Sequence, residues 1–198
     1  SGVYDIEFAS DGAVFLGTSV GLFRGTSDGT SFVARDLQIG LNQVVLDVHV
    51  VSGAPSTIWV AVASSLGNQP IRLLRSDDGG FNWINRTPPV SSGLNGTAVA
   101  VDPTNPNRVV AAFAGDFGGG EVWASSDGGQ SWVNRSAGLP PGRPMYSVVY
   151  DGSRFLVGGG RLFASQFAGL YATSDLGAQW VPLHDGSWPV LAVNEIVL

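Results

Sequence analysis

The chain has no cysteine and no lysine, only two histidines (His49 and His184), and no run approaching the ~18 consecutive apolar residues of a membrane-spanning helix. Without cysteine there is neither a disulfide framework nor thiol chemistry. Two histidines do not by themselves make a zinc site, and no metal or cofactor is expected. All ten basic residues are arginine; against thirteen Asp and three Glu they leave a net charge of −6, which argues against a basic face for nucleic acid or an anionic membrane. Charged residues make up only 13% of the chain, and no segment shows a helical period of 3.6. Ser1-Gly2-Val3 opens inside a strand pattern without a basic n-region, so no signal peptide is expected in this stretch.

What remains is apolar and rich in turn formers: 44% hydrophobic residues, 28 Gly and 11 Pro in 198 residues, the composition of one all-β domain. An internal repeat fills it. Ser76-Asp77-Asp78-Gly79-Gly80-Phe81-Asn82-Trp83 recurs as Ser125-Ser126-Asp127-Gly128-Gly129-Gln130-Ser131-Trp132 and as Thr173-Ser174-Asp175-Leu176-Gly177-Ala178-Gln179-Trp180. A damaged copy, Thr26-Ser27-Asp28-Gly29-Thr30-Ser31-Phe32, lacks the second glycine and brings its aromatic residue one position early, so its turn should be less regular. The aspartates at 28, 78, 127 and 175 step by 50, 49 and 48 residues, which makes four units. Each unit carries four short runs of β-branched and aromatic residues separated by Gly-containing turns. In the first unit these are 3–8, 13–17, 22–25 and 32–34; in the second 44–51, 57–63, 71–75 and 83–86. The third has 97–101, 108–113, 121–125 and 132–135, and the fourth 146–150, 154–157, 170–173 and 180–183.

The three intact motifs resemble Asp-box, or BNR, repeats, found in sialidases, family 74 glycoside hydrolases, sortilin-type receptors and photosystem II assembly factors. Asp102-Pro103-Thr104-Asn105-Pro106-Asn107-Arg108-Val109 is similar to a turn of the family 74 and sortilin groups. The resemblance implies a β-propeller whose four-stranded blades occupy about 1–41, 42–93, 94–142 and 143–186. Residues 187–198 then read as an extra strand opening a fifth blade. Such a chain is a small closed ring, part of a longer one, or a half-ring that pairs with a second copy.

The motif aspartates are read as structural. Asp78, Asp127 and Asp175 can accept hydrogen bonds from their own turns, Ser76, Ser125 and Thr173 open those turns, and Gly80, Gly129 and Gly177 permit positive φ. Trp83, Trp132 and Trp180 are expected to open the fourth strands and pack between blades. The resemblance places ligand sites on the opposite rim, in the loops 18–21, 64–70, 114–121 and 158–169 and in 36–43, 88–96, 137–144 and 184–189. There Asp116 and Glu121 flank three glycines and could act as the acid and base of a glycosidase, or be a solvated acidic loop. Arg143 and Arg161 could clamp a carboxylate or phosphate, and Trp188 with His184 could stack on a sugar.

Two catalytic signatures of the resembling families are absent. The sialidase Arg-Ile-Pro motif has only Arg143-Pro144 as its nearest string, late and incomplete. The segment similar to the family 74 acid, Thr18-Ser19-Val20-Gly21-Leu22-Phe23-Arg24, carries Ser19 where that resemblance requires an aspartate. The expected function is therefore a non-catalytic, extracytoplasmic bacterial module that binds or scaffolds protein or glycan. The alternative is a relative of the glycoside hydrolases using Asp116 and Glu121.

Overall fold

The structure is a computed structural model that describes residues 2–37, 43–54, 56–64, 70–91, 94–115, 119–161, 166–183 and 196. Within them the chain is all strand and turn, with no helix. Sixteen strands form four antiparallel sheets, each connected in simple up-and-down order. The first sheet is β1 (Val3–Phe8), β2 (Val14–Thr18), β3 (Gly21–Gly25) and β4 (Phe32–Arg35); the second is β5 (Gln43–Val50), β6 (Ile58–Ser64), β7 (Arg72–Ser76) and β8 (Ile84–Asn85). The third is β9 (Leu94–Val101), β10 (Val109–Gly115), β11 (Gly120–Ser125) and β12 (Val133–Asn134). The fourth is β13 (Met145–Tyr150), β14 (Phe155–Arg161), β15 (Gln166–Thr173) and β16 (Val181–Pro182).

The chain divides into two compact units, Ser1–Thr87 and Pro88–Leu198, each holding two sheets face to face. In the first, Phe15 and Leu22 of one sheet bury against Val45, Val48, Val60 and Leu74 of the next. In the second, Val110, Ala112 and Val122 meet Met145, Val148, Phe155 and Val157. Alternation across the pleat puts these residues on inner faces, so each sheet needs its neighbour to bury them. A side chain on an innermost strand reaches the backbone that follows in each unit: Val48 N donates to Asp5 Oδ2 at 2.7 Å, and Ile196 N donates to Ser147 Oγ at 3.1 Å.

The turn 102–108 tightens the second unit. Asp102 is buried, accepts from Thr104 N and Oγ1 at 2.9 and 2.7 Å, and pairs with Arg108 Nη1 at 2.7 Å. Arg108 Nη2 then donates to Ser174 O at 3.0 Å, tying the third sheet to the fourth. Burial pushes the Asp102 carboxyl up, but the Thr104 donors, the Arg108 charge and the Tyr150 hydroxyl outweigh it and hold it below its ordinary value.

Two expectations are corrected. The tryptophans do not open the fourth strands: Trp83, Trp132 and Trp180 each lie one residue before β8, β12 and β16, which are two residues long. The Trp83 ring is turned back over its own turn, where a Cβ on Gly80 would stand 3.4 Å from it. Of the expected loop 158–169, residues 158–161 belong to β14 and 166–169 to β15, and 162–165 lie outside the described residues. The glycines there serve close backbone approach: a Cβ on Gly159 would lie 2.1 Å from Pro144 O. The stretch 187–198 falls outside the described residues except for Ile196.

Candidate functional site

The repeated turns contain most of the candidate residues. Ser76 Oγ donates to Asp78 Oδ1 at 2.8 Å and accepts from Gly80 N at 2.9 Å; Asp78 Oδ1 accepts from Phe81 N and Asn82 N at 3.0 and 2.9 Å. The same network joins Ser125, Asp127, Gly129 and Ser131, and Thr173, Asp175, Gly177 and Gln179. Gly80, Gly129 and Gly177 have φ of 89°, 82° and 77°, values that strain a residue with a Cβ. The Asn82 backbone donor, with its side chain, holds the Asp78 carboxyl at about 2; the Ser131 hydroxyl, with its backbone N–H, does the same for Asp127, and Asp175 is lowered chiefly by Gln179 N. These aspartates are ionised acceptors with their oxygens engaged locally. Asp28 reaches only as far as Thr30, through its N at 3.1 Å and its Oγ1 at 2.8 Å, and is also depressed to about 2, chiefly by the Thr26 hydroxyl.

The following tryptophans differ. Trp180 Nε1 donates to Arg135 O at 2.7 Å, linking the fourth sheet to the third, whereas Trp83 Nε1 is buried without a partner among the described residues. Trp132 is half-buried.

On the opposite side of the third sheet, three segments separated in sequence meet around Glu121. Gly115 N donates to Gly119 O at 3.0 Å, closing the β10–β11 turn, and Gly119 N donates to Gly142 O at 2.8 Å, which brings in the loop carrying Arg143. A Cβ on Gly120 would lie 2.1 Å from Arg143 O, so only glycine permits this approach. Glu121 Oε2 accepts from Trp123 Nε1 at 2.7 Å and Oε1 from Ser91 N at 3.2 Å. Both carboxylate oxygens are thus engaged, an arrangement that orients Glu121 as a fixed acceptor. Ser91 and Trp123 were not singled out from sequence, and nothing local to position 121 points to Ser91.

A second concavity lies in the first unit, with a volume of about 280 Å³ and walls from Asp11, Phe15, Arg24, Ser56, Asp78 and Phe81. Arg24 pairs with Asp11 at 3.2 Å and lies 5.7 Å above the Phe15 ring, and Arg35 lies 4.4 Å above the exposed Phe81 ring. Its charged groups are paired with one another or engaged in the turn.

Of the other candidates, Arg161 ends β14, and Asp116, His184 and Trp188 lie outside the described residues. Among the described residues no group of three or more His, Asp and Glu could hold a metal, and no helix is long and apolar enough to cross a membrane. Ser19 Oγ accepts from Gly2 N at 3.0 Å. His49 is buried in β5, and desolvation lowers it to about 4.

No protein-family model matches the chain, and neither does any curated protein. Solved structures do match in fold. A GH74 enzyme of Niastella koreensis aligns at TM-score 0.64 and 20% identity over 91% of this chain and 31% of its own. YCF48 bound to D1 peptide aligns at 0.59 and 14% identity over 93% of this chain and 55% of its own, and a COPII outer-coat chain at 0.64 and 12% over 92% and 49%. These neighbours are propellers, and each alignment covers more than nine-tenths of this chain. The fold is a β-propeller, its four sheets the blades. The propeller spans between about a third and just over half of these relatives' length, and identities this low carry the fold alone.

Proposed function

We propose that this propeller is a binding or scaffold module for a protein partner, built from Asp-box repeats and working outside the cytoplasm of a bacterium. The observation that carries the reading is the state of Glu121: held by Trp123 and Ser91, it presents fixed polarity at the rim where the Arg143 loop converges. Ser19 offers no carboxyl where the resembling hydrolases use one. A rim of exposed backbone, one fixed carboxylate and one arginine suits an extended peptide, whose main chain and acidic side chains such groups can grip. A structural relative, YCF48, is solved with a bound peptide, which supports this choice over a glycan.

The test is an array of synthetic peptides probed with the purified chain, alongside aryl sialosides and xyloglucan oligosaccharides as hydrolysis substrates. The expected result is acidic-peptide binding that weakens about tenfold in Arg143→Ala, with no turnover above a buffer blank. Turnover abolished by Glu121→Gln or Asp116→Asn would establish the hydrolase alternative.

A further inference from the structure

The repeated turns of blades 2 and 4 differ at one position: Gly79 follows Asp78 where Leu176 follows Asp175. Leu176 holds φ at 56°, a left-handed conformation that is unfavourable for a residue with a Cβ. Packing keeps it there, for Leu176 is partly buried against the apolar cluster between blades 3 and 4. In blade 2 the backbone takes the same conformation, with Gly79 at φ 75°, but a Cβ built on it would meet nothing within 4 Å. Gly79 stands instead in the wall of the concavity of about 280 Å³.

Blades 1 and 2 build this cavity together. Phe15 and Arg24 pair across β2 and β3 on the side of blade 1 that packs on blade 2, and Ser56, Gly79 and Phe81 come from the turns of blade 2. Its charges are already matched: Arg24 pairs with Asp11 at 3.2 Å, and Asp78 accepts from its own turn. Two rings remain as apolar walls, Phe15 and the 62% exposed Phe81, over which Arg35 lies at 4.4 Å. One donor is left over, since Arg24 Nε is buried without an acceptor among the described residues. A counter-ion matches neither feature and a bare hydrocarbon only the rings. A neutral branched side chain with a main-chain carbonyl beside it satisfies both, and that is the chemistry of a leucine in a polypeptide.

We infer that this cavity is an anchor pocket for one leucine-type side chain of a protein partner, which takes over Gly79 the place that the chain's own Leu176 takes in blade 4. The inference takes from the proposed function only that the partner is a polypeptide, and it uses none of the residues around Glu121.

Titration of the ¹⁵N-labelled full chain with N-acetyl-leucine methylamide, followed by amide chemical shifts, tests it. The expected result is a saturable shift of the Ser56, Gly79 and Phe81 amides with a Kd on the order of 1 mM. N-acetyl-alanine methylamide should bind about tenfold more weakly, because it leaves the rings uncovered. Gly79→Leu repeats the arrangement of blade 4, fills the cavity and should abolish the shifts at Ser56 and Phe81. If that variant fails to fold by circular dichroism, Phe81→Ala, which removes an exposed ring, should weaken binding about fivefold at Ser56 and Gly79. No saturable shift of these amides up to about 50 mM would overturn the inference. So would equal binding of the alanine probe, tighter binding of N-acetyl-arginine methylamide or methyl α-glucoside, or leucine binding unchanged in the variants. The leucine probe is uncharged and offers Arg143 no carboxylate, so its failure leaves the acidic-peptide reading to its own array.

Discussion

Glu7 lies on β1 facing the second blade, two residues from Asp5 on the same face, and pairs across the ladder with Phe15. Desolvation by burial, with the Asp5 charge adding to it, raises its carboxyl from 4.5 to about 7, against a smaller lowering by Phe8 N. The folded state therefore holds a proton that the unfolded chain gives up, and stability falls as pH rises from about 4.5 to 7. The displacement corresponds to about 3 kcal/mol at 1.36 kcal/mol per decade, which screening at this half-buried position reduces to ~1–2 kcal/mol. Glu7→Gln keeps the shape and removes the titration. Urea unfolding followed by tryptophan fluorescence at pH 4.5, 6 and 8 should show the variant level with the wild type at pH 4.5 and more stable by ~1–2 kcal/mol at pH 8. Parallel pH profiles of the two proteins over this range would refute the reasoning.

Further outcomes follow from the turns and the close approaches. Asp127→Ala should lower the urea midpoint more than Asp28→Ala, because Asp127 accepts from Ser125 and reaches four residues on to Ser131, whereas Asp28 accepts from Thr26 and reaches no further than Thr30; equal losses would contradict this ranking. With Asp78 and Asp127 depressed to about 2, their contribution is complete above about pH 4 and is lost as pH falls toward 2, so an acid-unfolding limb should appear there by circular dichroism. Gly120→Ala should cost about 1–3 kcal/mol in a urea titration, since its Cβ would meet Arg143 O, a backbone atom that cannot swing away. Trp180→Phe should lose about 1 kcal/mol beyond its packing change through the bond to Arg135 O, a loss that Trp83→Phe, with no such bond, should not show in the same assay.

The repeat motif alone specifies much of this protein. The side chains of Ser76 and Asp78 and their counterparts close their bonds within one turn, so eight residues mark each turn, and its recurrence sets the number and order of the sheets. The chemistry of Ser19 was equally legible, because a hydroxyl cannot replace a carboxylate in any fold. Tertiary structure decided everything that joins distant residues. Glu121 became a fixed acceptor only because Ser91, thirty residues earlier, and the Gly142–Arg143 loop arrive beside it. Gly158, Gly159 and Gly160 looked like a loop because glycine signals both a turn and a close backbone contact, and only Pro144 O above Gly159 distinguishes them. Val3, Ile6 and Phe8 have the alternation of Val45, Val48 and Val50; one set is exposed and the other buried because burial depends on which sheet stands opposite, and a strand's own residues do not encode its neighbour.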